Sequence, residues 1–424
     1  MGKGLSSPVA LLAAVLVLSV VACTASGPTG TAATGTAPTS TAPTSTAATS
    51  TAATSKTTST NSTSTEQPSA ILVQPIHDAQ VVPGDDGKDH VEYELMVVNV
   101  YFEPVTLTSV TVLDSAGQEL GRIDGATLAA ATQALLTRTP TPAIDPSAAV
   151  AVDVDLALEP GTAPERVTHR IDYSVPDPKR ALIIDIGDTV VNGPEVAIDR
   201  RAPIVIAPPL AGDGWVVSSG CCSPNVHRDT RLAINGDRIG TPETFAIDWV
   251  RVKNDRIYDG DGSQNEQHYA FGADILAVAD ATVVIVQDGE PEQLPDVRLV
   301  PEKSTELSGN LVILELEPGV FAAYAHLQPG SITVKVGDKV KVGQHLANLG
   351  NSGNSSGPHL HFGLLDQANM FTGRSLPYVL QQFTLVGAVN VDTSTGDHMV
   401  ITPESRDVTR AYPLYGGILN IPES

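Results

Sequence analysis

The 424-residue sequence predicts a mainly β fold in two domains. Two observations carry this. Aromatic residues are scarce, at 4%, while 36 glycines and 31 prolines supply abundant turns, a balance that disfavours a helical bundle. From residue 69 onward, short apolar stretches with two-residue alternation recur between turn-forming clusters, as they do in strands.

The elements follow in order. Lys3 precedes an apolar run from Pro8 to Val21, the length of a signal-peptide core and too short to span a bilayer comfortably. The run ends in Val20-Val21-Ala22-Cys23, which resembles the lipobox of bacterial lipoproteins. That resemblance implies a signal peptide over 1–22, removed before Cys23, and a lipid on Cys23 that anchors the chain outside the cytoplasm to the cell membrane. Residues 23–68 are nearly all Thr, Ser, Ala, Pro and Gly in imperfect repeats. They offer no apolar face to offset the entropy of ordering, so a disordered tether is expected. A flexible chain of about 45 residues has a root-mean-square reach of roughly 35–40 Å.

Residues 69–200 read as a β-sandwich of immunoglobulin-like type. Val91–Tyr101 mixes alternation with apolar continuity. Val105–Leu113 follows, then a Ser115-Ala116-Gly117 turn. In Val150–Leu158, Val150, Val152, Val154, Leu156 and Leu158 should face the core, with Ala151, Asp153, Asp155 and Ala157 on the other side. His77, His90 and His169 are scattered and read as structural or surface residues. No catalytic constellation is visible here, so the expected role is to orient the next domain or to bind a protein partner.

Near Arg200 the texture changes, and residues 201–424 form the second domain. The net charge of -23 argues against a nucleic-acid partner, because phosphate binding needs clustered Lys and Arg. Three cysteines supply no disulfide framework. Adjacent Cys221 and Cys222 would sit about 3.8 Å apart at Cα across a trans peptide, below the usual disulfide range. A vicinal disulfide or structural role is expected for them ahead of metal ligation.

Four stretches of this domain carry chemistry. Asp248 interrupts the apolar strand Phe245–Val250, where an unpaired carboxylate would be costly, so it must meet a cation, strong donors or a solvated cleft. His359 and His361, two apart on a strand, share one face. His326 lies in Tyr324-Ala325-His326-Leu327, and His227 in an early His-Arg pair. Catalytic zinc takes three protein ligands from His and carboxylate and keeps a position for water. His227, Asp248 and one histidine of the triplet would supply that set. There is no His-Glu-x-x-His segment.

Residues 220–380 resemble the lysostaphin/LytM family of zinc metallopeptidases. The matching stretches are Phe271–Asp280, Gly309–Leu314, Tyr324–Leu327, Val336–Val340 with Gly343-Gln344, Gly350–Gly353 and Gly357–Phe362, in the family's order. The resemblance implies a β-rich domain with an open antiparallel groove, Zn2+ as cofactor, and hydrolysis of peptidoglycan peptide bonds. It implies His227, Asp248 and His361 as metal ligands. His359 would be the general base and His326 the group that stabilises the developing oxyanion. In typical members the first His and the Asp lie four positions apart; here the separation is 21, with a hairpin expected at Asn235-Gly236-Asp237. His268 is therefore kept as a second candidate for the first ligand. Gln287–Ser308, rich in Pro and Glu, is expected as a loop beside the groove or a surface insertion. A non-catalytic domain that binds the wall or activates another hydrolase is the alternative. The segment Ile332–Gln344 is also similar to lipoyl and biotinyl domains, but the turn Asn351–Gly357 has no lysine to modify.

Overall fold

The computed structural model describes residues 68–423 apart from 136–138, 177–188, 298–302, 304–305 and 396–397. The segment 1–22, Cys23, the tether through residue 67 and part of the 287–308 loop lie outside the described residues.

Two large sheets dominate, so the fold is mainly β, as expected. The first has eleven strands. Its main path runs Glu119–Asp124, Val105–Leu113, Arg166–Ser174, Val196–Asp199, Ala79–Pro83, Asp89–Asn99, Ala149–Leu158 and Thr132–Ala134. Val196–Asp199 joins the two halves, pairing antiparallel with Arg166–Ser174 and parallel with Ala79–Pro83. One hydrophobic core packs against this sheet. Val91, Tyr93, Leu95 and Val97 stand opposite Leu156, Val154, Val152 and Val150 in register, and all eight are buried. The inward face of Ala149–Leu158 is thus the one its alternation indicates.

The opposite face of these two strands is not open to solvent. Glu92, Glu94, Ala151 and Asp153 are each no more than 3% exposed. Strands buried on both sides lose the clean alternation of a half-buried sheet. The Asp89–Asn99 strand departs from this pattern: its second face is buried but carries the polar side chains His90, Glu92 and Glu94. Val82, from the first sheet's Ala79–Pro83 strand, belongs to the second sheet's core. Tyr412 N–H donates to the Pro83 carbonyl at 2.8 Å, and Arg374 donates to the Asp78 carbonyl.

The second sheet has twelve strands. From one edge the order is Ile204–Ile206, Tyr378–Thr395, Gly417–Ile421, Gly212–Ser219, Ile247–Arg251, Leu360–Leu365, Val320–Leu327, Asn310–Glu317, Ala281–Gln287 and Lys339–Val340. One face packs Trp215, Val217, Trp249, Leu360, Phe362, Leu364, Ala322 and Tyr324 into the main core. The other holds a small cluster around Ile313, Ala323, Ala325 and Leu365, and beside it the polar side chains considered below. The C-terminal strand Gly417–Ile421 is inserted between Tyr378–Thr395 and Gly212–Ser219, so the chain's last segment is an interior part of the sheet. Asn235 and Gly236 both take positive φ at the tip of the hairpin joining Leu232–Ile234 to Arg238–Gly240. Among the described residues, no helix is long and apolar enough to cross a membrane.

Leu419 is fully buried opposite Trp215. Leu419→Ala is expected to lower stability by about 2–5 kcal/mol, read from the urea midpoint at unchanged slope. A loss below about 1 kcal/mol would mean that the C-terminal strand is dispensable to the core.

Candidate active site

Period-two alternation builds the centre of the site. Ile247 and Trp249 point into the core, which turns Asp248 to the other face. Leu360 and Phe362 do the same for His361 and its neighbour His359. The two strands pair with Asp248 directly opposite His361, and His361 in turn faces Ala325 on the next strand.

His326 reaches the site by breaking the rule. Tyr324 and Leu327, three apart, both lie in the main core, so the strand carries an extra residue between them. His326 takes it up with a φ of 62°, a left-handed conformation rare outside glycine. Its ring thereby sits with centroids 4.7 Å from His359 and 6.1 Å from His361.

His227 comes from outside the regular strands, on the turn after Gly212–Ser219. Its peptide N–H donates to Asn225 Oδ1 at 3.0 Å, and Asn225 Nδ2 ties back to the Gly220 and Ser223 carbonyls. Cys221 and Cys222, at the start of this turn, are joined in a disulfide across a cis peptide with Cα atoms 3.1 Å apart.

The Asp248 carboxylate is the hub. Oδ2 lies 3.0 Å from His227 Nε2, and Oδ1 lies 3.0 Å from His361 Nδ1 and 3.5 Å from His359 Nε2. The other nitrogens of three rings are fixed by backbone. Nδ1–H of His227 donates to the Ala246 carbonyl at 2.9 Å, that of His326 to Ser352 at 2.8 Å, and that of His359 to Gly357 at 2.9 Å. Each carbonyl accepts only from a protonated Nδ1, so the three Nε2 atoms are the ones left to face the site.

Charge is distributed unevenly. Burial alone would raise the Asp248 carboxyl, but His227 and His359, with hydrogen bonds from His227 and His361, hold it well below the usual carboxylate range. Burial disfavours a charge on His227, yet Asp248, with help from Glu243 and the Ala246 carbonyl, outweighs it and lifts the imidazole to about 9. His326 is driven the other way, to about 3, first by burial and then by its neighbours His359 and His361. Burial also lowers His359. The site is therefore an anionic carboxylate that attracts a cation on one side, with two neutral imidazoles on the other.

The donor set fits a divalent ion. His227, Asp248 and His361 each offer one ligand atom, all within 4.8 Å of one another. Donors about 2.0–2.1 Å from a tetrahedral zinc stand roughly 3.3–3.4 Å apart, close to the 3.0 Å separations seen here. Zinc would take the place of the proton between His227 and Asp248. His268 is not in this set: its Nε2 donates to the Gly262 carbonyl at 3.0 Å and its ring packs on Tyr258. A second group, His90, Glu92, Asp155 and Cys222, also has ligand spacing. Its members are already engaged: Cys222 in the disulfide, His90 with Asp155 and Asp86, and Glu92 with Arg228. His77 and His169 are likewise structural, bound to Glu94 and to Tyr93 with the Pro194 carbonyl.

Sequence reasoning did not anticipate the carbonyls that orient the rings. Three come from residues flanking the histidines in space, and a side-chain reading of the sequence carries no signal for them. Nor did it foresee that the loop after Gln287 supports one of them. Gln293 N–H donates to the Asn351 carbonyl, Asn351 N–H donates to Glu292 Oε2 at 2.5 Å, and the next residue, Ser352, holds His326.

Residues 267–372 match the model of peptidase family M23. The match takes in His326, His359 and His361 and begins beyond Asp248 and His227, which join the site through geometry alone. An uncharacterized metalloprotease of Buchnera aphidicola is 40% identical over 55 residues, covering 13% of this chain and 14% of that protein. A peptidoglycan DD-endopeptidase of Vibrio cholerae is 40% identical over 68 residues, covering 16% of this chain and 15% of that protein. The chain thus spans only a small part of the length of these relatives. The catalytic domain of the antimicrobial peptidase lysostaphin from Staphylococcus simulans is 20% identical, with a TM-score of 0.22 over 38% of this chain and 88% of that one.

Glu292 gives the supporting loop a pH dependence. Burial raises its carboxyl to about 7, against the hydrogen bond from Asn351 and with repulsion from Glu266. A carboxyl with a raised folded-state pKa contributes stability that is present below about 4.5 and lost as pH rises through about 7. Glu292→Gln keeps an acceptor for Asn351 and is expected to remove that slope. From pH 4.5 to 7.5 the unaltered chain should lose about 1–2 kcal/mol more stability than the variant, a figure reduced for partial solvent access. Parallel stability profiles for the two proteins would contradict it.

Proposed function

We propose, for a chain that carries a peptidase family M23 domain, that it is a zinc metallo-endopeptidase acting on the peptide part of peptidoglycan. The observation that carries the reading is the convergence of five side chains from four separated stretches on the Asp248 carboxylate and the rings around it. Likeness to a peptidoglycan DD-endopeptidase over a short stretch supports the substrate class.

His227 Nε2, Asp248 and His361 Nδ1 would hold the ion. When bound, zinc supplies Lewis acidity, lowering the pKa of water towards 7 and polarising the scissile carbonyl. His359 Nε2, unprotonated and 3.5 Å from Asp248 Oδ1, is placed to take a proton from the attacking water. Its Nδ1–H, held by Gly357 and near Ser355 Oγ at 3.2 Å, fixes the ring and the tautomer. His326 is in the same tautomer, so its Nε2 also presents a lone pair. The oxyanion-stabilising role expected for it therefore requires that Nε2 first accept a proton. Both imidazoles then act as acceptors before either can donate.

We also propose that a lipid on Cys23 anchors the chain outside the cytoplasm and that the 23–68 tether gives it reach into the wall. The lipobox-like Val20–Cys23 supports this. Palmitate-analogue labelling should mark the unaltered chain and not Cys23→Ala; label on both would remove the anchor.

Digestion of purified peptidoglycan tests the enzymatic reading. His359→Ala should retain zinc and lose about 10²–10⁴-fold in the release of new amino termini. Asp248→Ala should lose both zinc and activity. Tight wall binding without cleavage by the zinc-loaded, unaltered chain would instead favour a non-catalytic module.

A further inference from the structure

Of the three residues that would hold the ion, His227 is the one that no sheet register fixes, since Asp248 and His361 pair directly. It sits 21 residues before Asp248, on a turn outside the strands. The residue beside it, Arg228, is 1% exposed and leaves the second sheet altogether. Its guanidinium enters the buried face of the first sheet. There Nη1 pairs with Glu92, Nη2 donates to the Tyr93 carbonyl at 3.3 Å, and Nε lies 3.4 Å from Glu94 Oε1. Three residues on, Arg231 pairs with Asp153 from the same face. The turn between them is closed on itself, with Thr230 N–H donating to the His227 carbonyl at 3.1 Å.

The receiving surface is built for cations. Across the paired strands Glu92 stands opposite Asp155, and Glu94 opposite Asp153. Like charges directly opposite one another destabilise a sheet unless something neutralises them. Glu92 and Glu94 are fully buried and Asp153 nearly so, so water cannot do it. His77 covers part of Glu94 at 2.6 Å, and the two arginines supply the rest. Swinging the turn away would strip Glu92 and Asp153 of their arginine partners and leave Glu94 with His77 alone, a far larger penalty than breaking an exposed pair. The turn therefore has one position, and His227 shares it.

We propose that the first sheet completes the metal centre of the second: the carboxylates Glu92, Glu94 and Asp153 seat Arg228 and Arg231 and so fix His227 where it meets Asp248. All five are positioning residues, since none touches the metal ligand atoms. The inference rests on the metal-centre reading above and adds that zinc affinity depends on a socket in another sheet.

Zinc affinity of the full chain, measured by competition with a chromogenic chelator, tests it. Glu92→Gln and Arg228→Met, each checked for folding by circular dichroism and thermal melting, should weaken zinc by about 10–100-fold. The double variant should lose no more than the worse single variant, because the two groups act as one unit. Leu107→Ala, in the first sheet's core away from the socket, should lower Tm and leave zinc affinity within about twofold, separating positioning from general loss of stability. Should Arg228→Met not fold, the isosteric Glu92→Gln carries the test alone. Folded Glu92→Gln with zinc affinity within about twofold of the unaltered chain would overturn the inference and leave the metal centre standing. Failure of the unaltered chain to take up zinc would overturn the metal centre itself and the inference with it.

Discussion

The structure turns on a carboxylate placed where a sheet ordinarily tolerates none. Asp248 lies in the strand Ile247–Arg251 between Ile247 and Trp249, both wholly buried. A charge there needs close counterparts, and three imidazoles from two other stretches supply them. The same arrangement dictates the backbone around it. Carbonyls of Ala246, Ser352 and Gly357 each hold a ring by Nδ1, so the chain's polar groups are spent on orientation and the Nε2 atoms are left for chemistry.

The demand reaches further than the second sheet. The proposed ligand His227 comes from an irregular turn, and a pair of arginines set into a neighbouring sheet anchors that turn. The first sheet, in turn, carries buried acidic side chains that it cannot satisfy alone. Each sheet thus holds groups whose burial is tolerable only in the presence of the other. That reciprocity accounts for the two-sided burial of the Asp89–Asn99 strand better than core packing does, since its second face is polar.

Much of this was legible in the sequence, and the reasons are particular. The alternation of Val150–Leu158 identified its core face, because period two is a direct consequence of the pleat. The two-residue spacing of His359 and His361 placed both on one face for the same cause. An aspartate inside Phe245–Val250 had to meet cations or donors, and it does. Other features were hidden. His326 reaches the site through an extra residue in its strand, and nothing in Tyr-Ala-His-Leu marks a bulge. Asp153 reads as an outward residue of a half-buried strand, because local alternation cannot say what lies against the second face. The socket for Arg228 joins residues 136 positions apart in sequence, beyond the reach of any local pattern.

The central claim is that one ion sits among His227, Asp248 and His361. Anomalous diffraction at the zinc edge from crystals of the zinc-loaded chain measures this directly. The expected result is a single peak about 2.0–2.2 Å from His227 Nε2, an Asp248 oxygen and His361 Nδ1. A peak elsewhere, such as between His90 and Asp155, or a site left empty at saturating zinc, would contradict it.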